Sequence, residues 1–326
     1  MKSTVRSSGT TSPSGKGVRA ARRRAAARQR AVLARRAVRR RQLARWGAVV
    51  GAVLLLVAGV AYLVTRGDSG DDSAGGPTDA PFVGGDLHSV AVIGDAVYVG
   101  GHEAVAVSRN GGRTWRRVAS LDGADAMGWA VTPDAVLVGG HPGLYRSADR
   151  GETFGKVTGA AAVDDVHALG AAAGMVYLAS PKAGLLASSD GGKHWKVRNA
   201  EAGRSFMGTI LVDPKDPARL IAPDMSAGLS ISTNGGRTWS PLGGPDGAMA
   251  VAWNPTDPQQ LLAAGMNGGA RSSDGGATWK DIDLPSGVTA VGYNPTGTAA
   301  YAGALDGQRA LVYRGRDGGS TWTPTA

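Results

Sequence analysis

Cysteine is absent from this chain of 326 residues, which excludes disulfides, a lipid anchor on cysteine and a thiolate metal site. Aromatic residues are scarce, at 6% of the chain. Acidic residues are missing from residues 1–66, which carry 16 Lys or Arg, whereas residues 67–326 carry 20 Lys or Arg and 26 Asp or Glu. The net charge of +10 therefore belongs to the N-terminal tail, and it does not make the whole chain a nucleic-acid-binding protein.

Long apolar runs are also lacking, with one exception at residues 47–64. These 18 residues carry no charge and approach the length that spans a bilayer, with Trp46 and Tyr62 near the two ends. The basic flank that ends at Arg45 predicts a cytoplasmic N-terminus and an external C-terminal part. We therefore predict a basic cytoplasmic tail over 1–46, a single-pass transmembrane signal anchor over 47–65 and a flexible Gly/Asp/Ser/Pro linker over 66–84.

A cleaved export signal is the alternative to an anchor. The segment Arg40-Arg41-Gln42-Leu43 resembles a twin-arginine signal, and cleavage near Ala61 would leave a soluble protein. In either case the Ala- and Arg-rich tail is expected to be solvated or to lie against anionic lipid. The tail has neither the aromatic residues nor the folded module that nucleic-acid binding would need. We therefore expect the membrane as a partner but no nucleic acid, and we expect a monomer.

One turn signature, S-x-D-x-G-x-T-W, recurs in the C-terminal three quarters of the chain. Its six copies, the last one weakened, span residues 108–115, 147–154, 188–195, 232–239, 272–279 and 315–322. The terminal aromatic residues are 39, 41, 44, 40 and 43 residues apart. A near-constant period of this length indicates one supersecondary unit repeated six times.

The residue types of this turn predict a hairpin with an aromatic wedge. An Asp, or Asn110 in the first copy, can accept hydrogen bonds from backbone N–H groups of its own turn. Gly112 can adopt positive φ, and Trp115 can fill the space between neighbouring sheets. With four short strands per period, the pattern predicts an all-β, six-bladed β-propeller over 85–326. Residues 81–85 are the one candidate for an added edge strand on blade six.

These turns resemble the Asp-box, or BNR, repeat family, which includes sialidases, sortilin-type receptors and bacterial proteins labelled glycosyl hydrolases. The resemblance covers roughly residues 85–326 and implies that the Asp box joins the third and fourth strands of each blade. It also implies a functional site on the opposite face, at the central channel. The departures include Asn110 and Asn234 in place of Asp, and Arg150 in place of a Gly.

Sialidase activity is not expected from this resemblance. Sialidases of the family hold the substrate carboxylate with three arginines, the first from an early F/Y-R-I-P segment. The nearest local sequence, Ala80-Pro81-Phe82-Val83, contains no arginine. Most arginines of the repeat region lie in or beside the Asp boxes, and only Arg204 falls on a blade-to-blade loop.

Histidine and methionine are expected to converge on the opposite face, from inner-strand starts and second-to-third loops. One interpretation is that these side chains only fill the channel, because methionine packs into irregular space. A soft-metal site is another, because thioether and imidazole together suit copper, especially Cu(I). The candidate metal ligands are His88, His102, His141, His167, Met127, Met207, Met225 and Met266.

Carboxylates are expected on the same face, most of them as exposed loop residues. The candidates are Glu103, Asp122, Asp125, Asp164, Asp165, Glu201, Asp224, Asp246 and Asp306. A glycosidase needs two carboxyl groups about 5–10 Å apart, and Glu103 and Asp165 are the candidate catalytic residues.

The leading functional hypothesis is a membrane-anchored extracytoplasmic binding or assembly module. Its ligand, a glycan, a metal or a protein, would lie at the channel mouth, and the candidate ligand-binding residues are His88, His102, His141, His167 and Asp224. The alternatives are a glycosyl hydrolase with paired carboxylates and a copper-binding protein.

Overall fold

A computed structural model of the chain describes residues 78–326. Over this range the backbone forms six sheets, antiparallel except for one added parallel strand, which confirms the predicted six-bladed all-β propeller. The predicted tail (1–46), membrane anchor (47–65) and first part of the linker (66–77) lie outside the described residues. The two helices of the described part are single 3-10 turns, Ala119–Leu121 and Gly159–Ala161, and neither could span a bilayer.

The strands of each blade follow one another along the chain. Blade one consists of β1 (Leu87–Ile93), β2 (Ala96–Gly101), β3 (Val105–Ser108) and β4 (Arg116–Arg117). Blade two consists of β5 (Gly128–Thr132), β6 (Ala135–Gly140), β7 (Gly143–Ser147) and β8 (Gly155–Lys156). Blade three consists of β9 (Ala168–Ala172), β10 (Met175–Ser180), β11 (Gly184–Ser188) and β12 (Lys196–Asn199).

Blade four differs because its inner strand is split in two. It consists of β13 (Gly208–Thr209), β14 (Leu211–Val212), β15 (Leu220–Asp224), β16 (Gly228–Ser232) and β17 (Ser240–Gly243). Strand β13 pairs in parallel with β9 of blade three, and β14 pairs with β15. Blade five consists of β18 (Ala248–Asn254), β19 (Asp257–Gly265), β20 (Gly268–Ser272) and β21 (Lys280–Ile282). Blade six consists of β22 (Val288–Tyr293), β23 (Ala300–Asp306), β24 (Arg309–Arg316) and β25 (Thr321–Pro324).

The repeated turn joins the third and fourth strands of each blade, and its polar side chains close it. In blade three, Ser188 Oγ accepts a hydrogen bond from the Gly192 N–H at 2.9 Å and donates to Asp190 Oδ1 at 2.7 Å. Asp190 Oδ1 also accepts from the His194 N–H at 3.0 Å. Gly192 has φ 84°, a conformation that side chains resist. The same serine-to-glycine bond, at 2.7–2.9 Å, closes four other turns.

The aromatic residue at the end of each turn packs against the preceding blade. Trp115 lies in the hydrophobic core between blades six and one, and Phe154 lies in the core between blades one and two. The other four, which are Trp195, Trp239, Trp279 and Trp322, pack against the cores between the later blades. One hydrophobic core therefore lies between each pair of neighbouring blades. Because this includes the last and the first blade, the ring is closed.

Long polar side chains link the turns of blades two to six to the preceding blade. Arg146 on β7 donates to the Gly191 carbonyl of the next turn at 2.9 Å, and Tyr98 donates to the Gly151 carbonyl at 3.2 Å. Arg198, Arg219 and Arg271 make equivalent bonds to turn carbonyls. These arginines therefore lie on the face of the ring that carries the repeated turns.

Residues 78–84 complete the ring between blades one and six. Thr78 exchanges two backbone hydrogen bonds with Trp115, at 2.7 and 3.1 Å. The Val83 N–H donates to the Gln308 carbonyl at 2.9 Å, and Phe82 pairs with Arg309 at the start of β24. The edge pairing expected for residues 81–85 is therefore present on blade six. Residues 78–84, which the sequence assigns to the linker, are thus hydrogen-bonded to the propeller.

Candidate functional site

A ring of six residues surrounds one mouth of the channel, one from each blade. Each lies at the start of its inner strand or just before it. In the blades other than blade four, the next residue, a Gly, Ala or Ser, is the first to pair regularly with the second strand of the blade. The six residues are His88, Met127, His167, Met207, Met249 and Thr289. In blades one to three an aspartate stands two residues earlier: Asp86, Asp125 and Asp165. The repeat of blades one to three therefore reads Asp-x-His or Asp-x-Met, and the later blades lack the acid.

Asp125 stands at the centre of a cluster of three imidazoles. His88 Nε2 lies 2.8 Å from Asp125 Oδ1, and His102 Nδ1 lies 3.5 Å from Asp125 Oδ2. His141 Nδ1 donates a hydrogen bond to the same Oδ2 at 3.1 Å. The Asp125 side chain is only 3% exposed. Blades one and two therefore bring a buried carboxylate and three imidazoles together, although the sequence pattern treats Asp125 as one exposed loop residue among many.

A second carboxylate continues this cluster. Asp165 Oδ1 lies 2.8 Å from His141 Nε2 and 3.0 Å from His167 Nε2. The two Nε2 atoms are 3.4 Å apart, with the rings at 82° to each other. Lys182 Nζ is 4.0 Å from Asp165 Oδ2. We call these six groups, His88, His102, Asp125, His141, Asp165 and His167, the His/Asp cluster.

Short distances within the cluster do not all correspond to hydrogen bonds. His88 Nε2, Asp125 Oδ1 and Asp165 Oδ1 are buried and have no hydrogen-bond partner, although each lies within 3.0 Å of an oppositely charged or polar atom. Within residues 78–326 the one other buried side-chain atom in this state is Trp322 Nε1. Since buried polar atoms are normally paired, their concentration at one point calls for an explanation.

The protonation of the cluster follows from burial and from its close charges. Burial disfavours the charged form of His88, but the carboxylates of Asp125 and Asp86 together outweigh burial and raise the pKa of His88 above its ordinary value. Burial also works against ionisation of Asp125, but the imidazoles of His88 and His141 hold the pKa of Asp125 below its usual range. Burial lowers the pKa of His167, and Asp165 offsets this only in part. At neutral pH Asp125 is therefore anionic and His167 is neutral.

The other half of the mouth is apolar. Its cavity, of about 130 Å³, is lined by side chains or backbone from five of the six blades, and so it lies on the ring axis. Five methionines form much of the wall: Met127, Met207, Met225, Met249 and Met266. Of the four mouth histidines, only His88 lines this cavity. We call it the Met cavity, and it adjoins the His/Asp cluster at His88.

Two of the candidate site residues predicted from the sequence, Asp224 and Glu103, lie outside the His/Asp cluster and the Met cavity. Asp224 accepts hydrogen bonds from Ser205 Oγ at 2.7 Å and from the Ser226 N–H at 2.9 Å, so its carboxylate stabilises its own loop. The prediction that Asp224 binds ligand is therefore not supported by its contacts. Glu103 is exposed, whereas Asp165 lies beside His141, His167 and Lys182.

Comparison with known proteins supports the fold. No protein-family model and no curated protein matches the chain. The chain is similar to the GH74 xyloglucanase from Xanthomonas campestris, with 19% identity and a TM-score of 0.50, over 76% of this chain and 47% of that one. It is also similar to a GH74 enzyme from Niastella koreensis, with 12% identity and a TM-score of 0.52, over 76% and 55%. A protein of unknown function from Bacteroides thetaiotaomicron matches with 11% identity and a TM-score of 0.56, over 73% and 71%.

These identities show a common β-propeller fold and nothing about activity. The chain spans about half the length of the two GH74 enzymes that it resembles. The function is therefore inferred from the Met cavity and the His/Asp cluster at the channel mouth.

Proposed function

We propose that the protein is a binding or assembly module whose ligand occupies the channel mouth. The observation that carries the proposal is the union of the Met cavity and the His/Asp cluster at His88. An apolar cavity beside a few convergent polar groups is the usual composition of a ligand site. A ligand with one apolar group and one metal-binding or charged group would match both halves of this mouth.

Exposure of the methionines supports the same proposal. Within residues 78–326, the exposed large hydrophobic residues are Val131, Val197, Met225, Met249, Met266 and Leu311. Three of these six belong to the Met cavity, and Met225 and Met266 are 69% and 77% exposed. Clustered exposed apolar side chains mark binding surfaces, and flexible methionine adapts to the shape of a partner.

The proposal includes the cellular setting inferred from the sequence. The apolar run at 47–64 and its basic flank favour an anchor in the cell membrane with the propeller outside. The Ser-Asp-Thr hydrogen bonds of the repeated turns favour membership in the Asp-box repeat family. Intact-mass measurement of the mature protein tests the anchor, because cleavage near Ala61 would remove the N-terminal residues.

Site-specific photo-cross-linking in the producing cells tests the binding proposal. A benzoylphenylalanine replaces Met266 at the mouth and, as a matched control, Val131, which is 50% exposed and outside the Met cavity. We expect a discrete adduct from position 266 and none from position 131. Adducts from position 131 alone, or none from three mouth positions (225, 249 and 266), would contradict the proposal.

Glycoside hydrolysis is less well supported by the same geometry. Asp125 and Asp165 stand on opposite sides of His141, but that imidazole fills the space a sugar or water would need. A general acid also needs a raised pKa, and the pKa of Asp125 is held low. Turnover of chromogenic glycosides by the wild type, lost in Asp165→Asn, would replace the binding proposal with an enzymatic one.

A further inference from the structure

We propose that His141, Asp165 and His167 form a binding site for a divalent transition-metal ion, Zn²⁺ foremost. The inference deepens the proposed function, because the ion would supply the polar half of the channel mouth on which that function rests. We call these three residues the metal triad.

The spacing of the three donor atoms fits one shared ion. Asp165 Oδ1, His141 Nε2 and His167 Nε2 are separated by 2.8, 3.0 and 3.4 Å. Zinc–nitrogen and zinc–oxygen bonds are about 2.0–2.2 Å long, so ligands on one ion stand about 3.0 Å apart at right angles and about 3.4 Å apart at tetrahedral angles. The separations within the triad, 2.8–3.4 Å, are therefore close to those of ligands on a single ion.

The tautomer of His141 supports this assignment. Its Nδ1 donates a hydrogen bond to Asp125 Oδ2 at 3.1 Å, so in the neutral ring the proton is on Nδ1 and Nε2 carries a lone pair. This Nε2 faces Asp165 Oδ1 at 2.8 Å. A carboxylate that holds the far nitrogen of a metal-binding histidine is the usual outer support of a zinc site. Asp125 is thus the positioning residue of the triad.

Unpaired buried atoms are a second and independent observation. Asp165 Oδ1 has no hydrogen-bond partner, although two imidazole nitrogens lie within 3.0 Å of it. Asp125, which is 3% exposed, has an unpaired Oδ1 in the same cluster. A cation between the three triad atoms would satisfy the oxygen and accept both lone pairs.

The adjacent set of His88, His102 and Asp125 has similar residue types but a poorer geometry. His102 Nδ1 is 3.5 Å from Asp125 Oδ2, and the His102 side chain is 61% exposed. The same Oδ2 already accepts the hydrogen bond from His141. We therefore assign the ion to the metal triad and assign the adjacent set to its support.

The donor types decide the class of metal. Two imidazoles and one carboxylate suit Zn²⁺ and other divalent first-row ions, whereas Cu(I) favours thioether or thiolate donors. The methionines that the sequence associates with copper line the Met cavity, and no triad residue lines it. Three protein ligands leave coordination positions free, and His141 is 48% exposed, so a ligand at the mouth can reach the ion.

Metal binding by the full chain, purified in detergent and stripped with chelator, tests the inference directly. We expect isothermal titration with ZnCl₂ and elemental analysis to give one Zn²⁺ per chain, and Zn²⁺ to raise the unfolding temperature. Asp165→Asn and His141→Gln should weaken Zn²⁺ binding about 100-fold or more, and the positioning variant Asp125→Asn about 10–100-fold. The matched controls Asp164→Asn, an exposed neighbour, and His194→Gln, on a repeated turn, should bind as the wild type does.

Circular dichroism and a melting curve without metal show that each variant is folded. Failure of the folded wild type to bind Zn²⁺ stoichiometrically, or equal binding by folded Asp165→Asn, would overturn the inference. Binding of Cu(I) that depends on Met127 and Met207 but not on Asp165 would overturn it as well, in favour of a thioether site. The photo-cross-link from position 266 does not require the ion, so loss of the metal site and loss of the proposed function give different results.

Discussion

At the scale of single residues, Gly140 positions the His/Asp cluster. A Cβ built on Gly140 would fall inside the Asp125 backbone carbonyl. The Asp125 N–H donates to the carbonyl of His141, the next residue, at 2.9 Å. Only a residue without a side chain allows this close approach, and the approach places Asp125 between His88 and His141.

Gly140→Ala is therefore expected to destabilise the protein and to displace Asp125. The clash is with backbone, so no side chain can rotate away, and we expect a loss of about 3 kcal/mol or more. Gly155→Ala is the matched control, because its Cβ would meet no atom within 4 Å; its effect should stay within about 0.5 kcal/mol. Urea unfolding of both variants measures the difference, and equal stability would show that the backbone approach is not as close as described.

The aspartates of the repeated turns make stability depend on acid pH. Hydrogen bonds from the Thr278 hydroxyl, the Thr278 N–H and Ser272 lower the pKa of Asp274 from 3.8 to about 2. Because this pKa is depressed in the folded state, its contribution is complete above the unfolded pKa of about 3.9 and is lost as pH falls through about 2.

Asp274→Asn should accordingly reduce the loss of stability between pH 4 and pH 2. Asn110 and Asn234 occupy this position in two natural turns and make the same bonds to backbone N–H groups, so the variant should fold. The unfolding midpoint in urea, measured at several pH values, gives the comparison with Asp283→Asn, an exposed carboxylate outside the turns. An identical pH profile for wild type and Asp274→Asn would contradict the role of the ionised carboxylate.

At the scale of elements, the first serine of the first five repeated turns is a buried residue that stabilises its turn. Ser188 is 2% exposed, and its Oγ is the acceptor for the Gly192 N–H. An unsatisfied buried N–H costs about 1–3 kcal/mol. The turn therefore depends on a side-chain acceptor as much as on its glycines.

Ser188→Ala should lower the free energy of unfolding by about 1–3 kcal/mol, since it removes that acceptor. Ser189→Ala, one residue further along and exposed, should change it by about 0.5 kcal/mol or less. Thermal or urea unfolding distinguishes the two. A neutral Ser188→Ala would mean that water replaces the hydroxyl in the turn.

At the scale of the whole molecule, the ring is closed by a segment that precedes the first blade. Val83 is 0% exposed and belongs to the core between blades six and one. Thr289 Oγ1 of blade six also donates to the Leu87 carbonyl of blade one at 3.0 Å. Closure thus combines a buried side chain with hydrogen bonds between the first and last blades.

Val83→Ala should destabilise the propeller by about 2 kcal/mol, through lost burial and a cavity at the closure. Val197→Ala, at a valine that is 62% exposed on β12, should have little effect. Urea unfolding of both variants tests whether residues 78–84 are part of the ring. Equal stability of the two variants would support the linker that the sequence indicates for these residues.

The repeat period and residue types predicted six repeated units, each with a hairpin turn. The resemblance to Asp-box proteins implied which strands the turn joins and which side of the ring gathers histidine and methionine. These features were accessible because each depends on contacts within one repeat or between adjacent repeats. The role of residues 78–84 could not be predicted in this way. Their sequence is that of a polar linker, and only their hydrogen bonds to blades one and six show that they are part of the ring. The soft-metal hypothesis combined His and Met, which share one mouth but divide it into a polar and an apolar half.

The spacing of the turn residues predicts the hairpins and the aromatic wedge predicts the packing of sheet on sheet, so the propeller could be foreseen from local patterns. The site could not, because His88, Asp125, His141 and Asp165 come from three blades and are far apart in the chain. Their chemistry depends on distances near 3 Å and on burial of one carboxylate. Those quantities follow from ring closure, which no local pattern encodes.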